Sequence, residues 1–155
     1  MLYASSLQAQ VMITDSLIKK VIQSIYPSKS YLKLRIEELP SVIYSKINWE
    51  NERELDKSFV VRVKGFDSST ISSQLMAREI ICIDSLMLRS NILKDTIKKD
   101  DRNVLYILFS KDANQVIIKE QRYCGEDCGS DMIMLYKKNK RKEWIFDKSI
   151  FGGIY

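Results

Sequence analysis

Val104-Leu105-Tyr106-Ile107-Leu108-Phe109, followed by Ser110-Lys111-Asp112-Ala113-Asn114 and then Val116-Ile117-Ile118, is the stretch that decides the fold. Two apolar, β-forming runs flank a short polar turn. So short a connection leaves antiparallel pairing as the only choice, because a parallel pair needs a crossover of about a dozen residues or more. The second run reaches about Tyr123. Residues 132–136 and 143–146 read as two further strands, again with short connections. The C-terminal half is therefore expected to be an antiparallel β-meander.

Toward the N terminus, Thr14, Asp15 and Ser16 are helix-capping residues. Leu17, Ile18, Val21, Ile22 and Ile25 then recur at helical spacing, opposite Lys19, Lys20 and Gln23, until Pro27 ends the segment. One amphipathic helix is predicted, with an apolar stripe that must cover something. Leu32, Leu34 and Ile36 alternate with Lys33 and Arg35 as a half-buried strand does. Pro40 interrupts, and Val42-Ile43-Tyr44 suggests a second short strand. Residues 48–57, with Glu50, Glu52, Glu54 and Asp56, read as a loop or short helix. Residues 59–63 form a β-rich run closed by Gly65, and the Ser/Thr-rich residues 68–73 a flexible loop. Ile80-Ile81-Cys82-Ile83 suggests a buried strand, while Leu86-Met87-Leu88 would extend a helix. The fold class expected is α+β: an N-terminal amphipathic helix packed on a curved, mostly antiparallel sheet. Residues 11–155 suffice for one such domain.

Absences narrow the chemistry. The chain has no histidine. That excludes a Ser-His-Asp or Cys-His relay, a histidine metal site and a histidine pH switch. No Walker A, Gly-x-Gly-x-x-Gly, Gly-x-Ser-x-Gly or EF-hand pattern occurs, so no cofactor is expected. No apolar run approaches the ~20 residues that span a bilayer. The chain holds 25 Lys+Arg and 20 Asp+Glu, and the five cations Lys137, Lys138, Lys140, Arg141 and Lys142 account for the whole excess. They are a possible anion contact, or simply a solvated hairpin turn before Trp144. Aromatics are not interleaved on one face, so a nucleic-acid partner is not favoured. The close acidic pairs Glu52/Glu54, Asp100/Asp101 and Glu126/Asp127 read as solvated. Tyr26, Tyr31, Tyr44, Trp49, Phe59, Phe66, Tyr106 and Phe109 read as core or as the lining of an apolar cavity.

Tyr123-Cys124-Gly125-Glu126-Asp127-Cys128-Gly129-Ser130 is the most pointed local feature. It joins two expected strands, and each cysteine precedes a glycine suited to a tight turn. Four readings stay open. One is a local Cys124–Cys128 disulfide in an oxidising compartment. Another is a pair of reduced structural thiols. A metal site would need a carboxylate such as Asp127. Redox catalysis would depart from the usual Cys-x-x-Cys at a helix N terminus. Cys82 reads as a buried free thiol.

Phe109-Ser110-Lys111-Asp112, Tyr123-Cys124-Gly125, Cys128-Gly129, Tyr136-Lys137-Lys138-Asn139 and Trp144 together form a pattern. Over roughly the last 45 residues it resembles a class of small, uncharacterised exported bacterial proteins with a Cys-Gly-x-x-Cys-Gly hairpin. Glu126-Asp127 between the cysteines, and Lys140-Arg141-Lys142 where a glycine often closes the turn, depart from it. The order of helix and sheet is also similar to nuclear transport factor 2-like and cystatin-like folds. The resemblance implies no activity.

The start of the chain bears on compartment. Ser6-Leu7-Gln8-Ala9-Gln10 looks like the end of a secretory signal, although no basic region precedes it. On this reading residues 1–10 are the remnant of a signal peptide, cut near Ala9, and the protein is periplasmic or secreted; otherwise it is cytoplasmic. An in-frame Lys-rich and Leu-rich stretch upstream of Met1 would decide for export. The function expected is a small exported, non-catalytic binding or interaction domain, taking a protein or a small apolar ligand. The alternatives are a cavity-based enzyme using Asp or Glu with Tyr or Lys, and an intracellular immunity-type interaction module.

Overall fold

Antiparallel pairing extends beyond the C-terminal half to the whole sheet. The computed structural model describes residues 12–38, 40–47, 60–72, 74, 76–84, 103–125 and 128–154; of residues 30–38, 41, 72, 76–79, 83, 84, 123–125 and 128 it describes the backbone alone. The elements are α1 (Asp15–Ile25), β1 (Lys29–Glu38), α2 (Ser41–Lys46), α3 (Ser68–Ser72), β2 (Met76–Asp84), β3 (Asn103–Phe109), β4 (Gln115–Gly125), β5 (Cys128–Lys138) and β6 (Trp144–Ile154). The six strands form one sheet in chain order, each antiparallel to the next. The fold is a mostly-sheet α+β arrangement with short helices.

Local chemistry sets the ends of these elements. The Leu17 N–H donates to Thr14 Oγ1 at 3.2 Å, which satisfies one of the orphan donors that open α1. The β3–β4 turn is held by Asp112, whose Oδ1 accepts from the Ser110 hydroxyl at 2.7 Å and from the Asn114 N–H at 3.1 Å. Asn139 plays the same part between β5 and β6. Its Oδ1 accepts the backbone N–H groups of Arg141 (2.8 Å) and Glu143 (3.0 Å), and its Nδ2 donates to Glu143 Oε2 at 2.8 Å.

Alternation along β3 and β4 divides the core between the two faces of the sheet. On one face Ile18, Val21 and Ile22 of α1 pack on Ile80, Cys82, Leu105, Ile107, Phe109, Val116 and Ile118. On the other, Ile43, Ile47, Val63, Phe66 and Ile71 pack on Leu108, Ile117, Ile133 and Leu135. α1 therefore covers one face, and α2, α3 and the chain around residues 61–66 cover the other.

Three expectations are corrected. Val42-Ile43-Tyr44 lies in α2 rather than a strand, with Pro40 as its N-cap, whose carbonyl accepts the Ile43 and Tyr44 N–H groups. Of residues 60–63, Val61 alone pairs, through an isolated parallel bridge to Ile47. The Ser/Thr-rich segment contains α3, because Asp67 Oδ1 accepts the Thr70 N–H at 2.7 Å and the Ser69 hydroxyl at 2.8 Å. Phe66 and Phe109 are packed into the two cores, the first of their two readings. Ile80 to Ile83 is strand, as one of its two readings had it. The acidic segment 48–57, residues 85–102 and the N-terminal residues 1–11 lie outside the described residues.

Candidate functional site

Where α1 gives way to β1, a buried carboxylate collects three polar neighbours. Glu120 follows Ile118 on the α1-facing side of β4, so alternation turns its side chain toward the core, where it is only 3% exposed. Burial of an unpaired carboxylate would be costly. Three groups offset that cost. The Tyr26 hydroxyl donates to Oε2 at 3.1 Å, Lys29 Nζ approaches Oε1 at 3.4 Å, and Arg122 Nε donates to Oε1 at 2.8 Å. Tyr26 is the C-cap of α1, and Lys29 opens β1. The cluster thus ties the end of the helix to the middle of the sheet.

Burial works against the Glu120 charge. The Arg122 hydrogen bond, the positive charges of Lys29 and Arg122, and the Tyr26 hydroxyl outweigh it, and the carboxyl is held below its ordinary value. Burial, reinforced by the Glu120 charge, pushes the Tyr26 hydroxyl far upward. Tyr136 is raised as well, chiefly by burial. Cys82 is a fully buried free thiol, as expected, and burial pushes it up to about 11.

The opposite face carries a second buried pair. Lys119 Nζ lies 3.4 Å from Asp131 Oδ2 and 5.8 Å from the centre of the Tyr106 ring. Asp131 Oδ1 is buried with no hydrogen-bond partner among the described residues. No group of three or more Cys, Asp or Glu side chains fit to hold a metal occurs among the described residues.

The sequence-selected residues fall at the two ends of β5. Cys124 lies near the end of β4 and Cys128 starts β5. Gly125 pairs with Cys128, Tyr123 with Gly129, and Cys124 sits at the irregularity between these pairs. Both are described by backbone alone. At the other end, the basic run is the β5–β6 hairpin turn. Lys137 Nζ pairs with Asp147 Oδ2 at 3.0 Å, and Lys138 Nζ donates to the Ala113 carbonyl at 2.9 Å and lies 4.9 Å from the Trp144 ring. Lys140, Arg141 and Lys142 are exposed, with no ion pair among the described residues. Glu52, Glu54, Asp100, Asp101, Glu126 and Asp127 lie outside the described residues.

Beyond this turn runs the last strand of the sheet. β6 pairs with β5 on one side, and no strand among the described residues pairs with its other side. Ile145 and Phe146 are 49% and 56% exposed. The register of β6 slips twice, leaving Asp147 and Ile150 as extra residues opposite β5. Such bulges twist an edge and interrupt its ladder. The regular runs of this edge are therefore Trp144-Ile145-Phe146 before the first bulge and residues 151–154 after the second.

Neither Glu120 nor the β6 edge was selected from the sequence. A charged residue two positions after Ile118, in phase with the buried alternation, was the available signal for the first. For the second it was the strand-like run at residues 143–146 itself. Among the described residues no helix is long and apolar enough to cross a membrane. No family model matches the chain, and neither the curated proteins nor the solved structures yield a match.

Proposed function

We propose that this chain is a small, exported, non-catalytic binding or interaction domain whose working surface is the β6 end of the sheet. The observation that carries the reading is the open edge at residues 144–146, with two large apolar side chains exposed beside it. An unpaired edge is a template for an added strand, and stable proteins usually blunt it. Here two bulges interrupt the middle of β6 and leave residues 144–146, next to the basic turn, in a regular ladder. The same irregularities, with those in β1 and β4, support a curved sheet. The test is an NMR titration of the full chain with acidic, basic and neutral peptides of alternating apolar residues. Shifts clustered on residues 144–146 are expected with at least one of them; shifts with none of them overturn the reading.

Export goes with a Cys124–Cys128 disulfide. The pairing of Gly125 with Cys128, next to Cys124, supports a bridge across the hairpin tip. Titrating thiols in denatured, unreduced protein from the native source is expected to find one, that of Cys82. Finding three overturns the bridge and favours a reducing compartment.

The Glu120, Tyr26 and Lys29 cluster favours one second reading, an enzyme using a carboxylate with Tyr and Lys. Against it, the carboxylate's short polar contacts all come from the protein's own groups. The enzyme reading requires a small molecule that shifts the Glu120 carboxyl resonance on binding; a fragment screen that finds none removes it.

A further inference from the structure

We propose that the open edge at Trp144-Ile145-Phe146 takes an extended acidic peptide segment of a partner protein as a seventh strand; this rests on the β6 reading above and names the partner's chemistry. Two observations meet at this point. One is the edge, where the ladder is regular for three pairs, Lys138 with Trp144, Lys137 with Ile145 and Tyr136 with Phe146, before the first bulge. The other is charge. Lys140, Arg141 and Lys142 lie in the turn that feeds this edge, and the chain's net positive charge comes entirely from the run 137–142.

The five cations of that run are not equivalent. Lys137 is neutralised by Asp147, and Lys138 is spent on the Ala113 carbonyl and the Trp144 ring. The remaining three are exposed in the turn and add positive charge next to residues 144–146. Charge of one sign beside a binding edge steers and selects a partner of the opposite sign. Ile145 and Phe146 are consecutive, so they project to opposite faces of the sheet. An added strand with alternating side chains meets one on each face, which suits a peptide. A single-stranded nucleic acid needs aromatics exposed on one face for stacking. Trp144 and Phe146 share a face, but Trp144 is half-buried under the Lys138 ammonium, and Phe146 packs edge-on against Tyr136, with ring centres 5.8 Å apart. The bulge at Asp147 limits the added strand to the near end of β6, so its acidic residues fall beside the turn.

The full chain is titrated with a decapeptide of alternating Val and Glu, its Val/Lys counterpart, its Val/Ser counterpart and oligothymidine. Wild type and the charge-reversed variant Lys140→Glu/Lys142→Glu are compared by NMR. Neither residue has a polar side-chain partner among the described residues, and the variant is checked for an unchanged spectrum elsewhere. The Val/Glu peptide is expected to shift the amides of residues 144–146. Its affinity should fall by about tenfold in the variant and weaken with added salt. Preference for the Val/Lys or Val/Ser peptide at the same amides overturns the acidic partner and leaves the β6 reading standing. No shift at residues 144–146 with any peptide overturns both. Binding of oligothymidine in place of the acidic peptide replaces the proposal with a nucleic-acid one. Self-association mapped to β6 makes a second copy the occupant and overturns it too.

Discussion

On one face of the sheet, an eleven-residue helix packs Ile18, Val21 and Ile22 into a cluster with residues of β2, β3 and β4, and it also lies beside β6. On the other, the covering helices among the described residues are six and five residues long, and they bury Ile43 and Ile71. α2 follows Pro40. α3 hangs from the Asp67 carboxylate, which its bonds to Thr70 and Ser69 hold below the ordinary carboxylate value. Helices this short have no stability of their own. The difference is one of proportion: α1 relies mostly on area, with the Tyr26–Glu120 bond at its end, and α3 relies more on particular hydrogen bonds. Area is redundant, because several side chains share it. A particular bond is not.

The largest test of this contrast uses buried apolar residues on each face. Phe109 is fully buried under α1, and Phe109→Ala is expected to cost about 3–5 kcal/mol, from lost transfer energy and the cavity left behind. Ile43, equally buried under α2, is expected to cost about 2–4 kcal/mol as Ile43→Ala. Urea denaturation gives both values. If Ile43→Ala proves the more damaging, the second face is the stronger half of the core and the contrast is inverted.

A middle-sized test compares the two buried charge pairs, which stand back to back at Lys119 and Glu120 of β4. Removing the Glu120 charge as Glu120→Gln disturbs three groups and is expected to cost about 1.5–3 kcal/mol. Replacing Lys119 and Asp131 together, as Lys119→Met/Asp131→Val, is expected to be near neutral, because Asp131 Oδ1 lacks a hydrogen-bond partner and a buried pair rarely exceeds its desolvation cost. The folded-state value of Glu120 is depressed, so its contribution is complete above the unfolded carboxylate range and is lost as pH falls through it toward the folded value. Below about pH 4.5, wild type should lose more stability than Glu120→Gln. Asp67 and Asp112, also depressed, titrate in both proteins and do not affect the difference. Equal acid sensitivity in the two proteins would show that the cluster contributes nothing through its charge.

The sequence announces one of these faces far better than the other. The α1 stripe, the Thr14 cap and Pro27 are local and periodic, so the helix and its buried side can be read directly. The short turns at residues 110–114 and 139–143 force antiparallel pairing in the same local way. Nothing periodic marks the second face. Val42-Ile43-Tyr44 is too short to separate strand from helix by spacing. Residues 68–72 look like a loop until the Asp67 side chain is counted. The Glu120 cluster escapes for a different reason, since its Tyr26 partner is 94 positions away in the chain. Only the fold brings them together.

The smallest test targets a single residue that the sequence does not mark at all. Gln74 follows α3, ahead of the start of β2 at Met76. Its Nε2 donates to the Phe109 carbonyl at 2.6 Å, and its Oε1 accepts the Phe109 N–H at 3.0 Å. Among the described residues the β2–β3 ladder ends at the pair Arg78 with Ile107, so the Gln74 amide acts as a substitute strand for the last residue of β3. Phe109 is fully buried, so Gln74→Ala leaves a buried donor and a buried acceptor unsatisfied, at about 1–2 kcal/mol. Gln74→Glu separates hydrogen bonding from packing. A carboxylate can accept from the Phe109 N–H but cannot donate to its carbonyl, so at neutral pH this variant should be at least as unstable as Gln74→Ala. Protonation restores a donor, so part of its stability should return as pH falls toward 4, where wild type is losing its own. A variant whose stability ignores pH would mean that Gln74 holds the second face by its bulk, and that this face, like the first, is a matter of area.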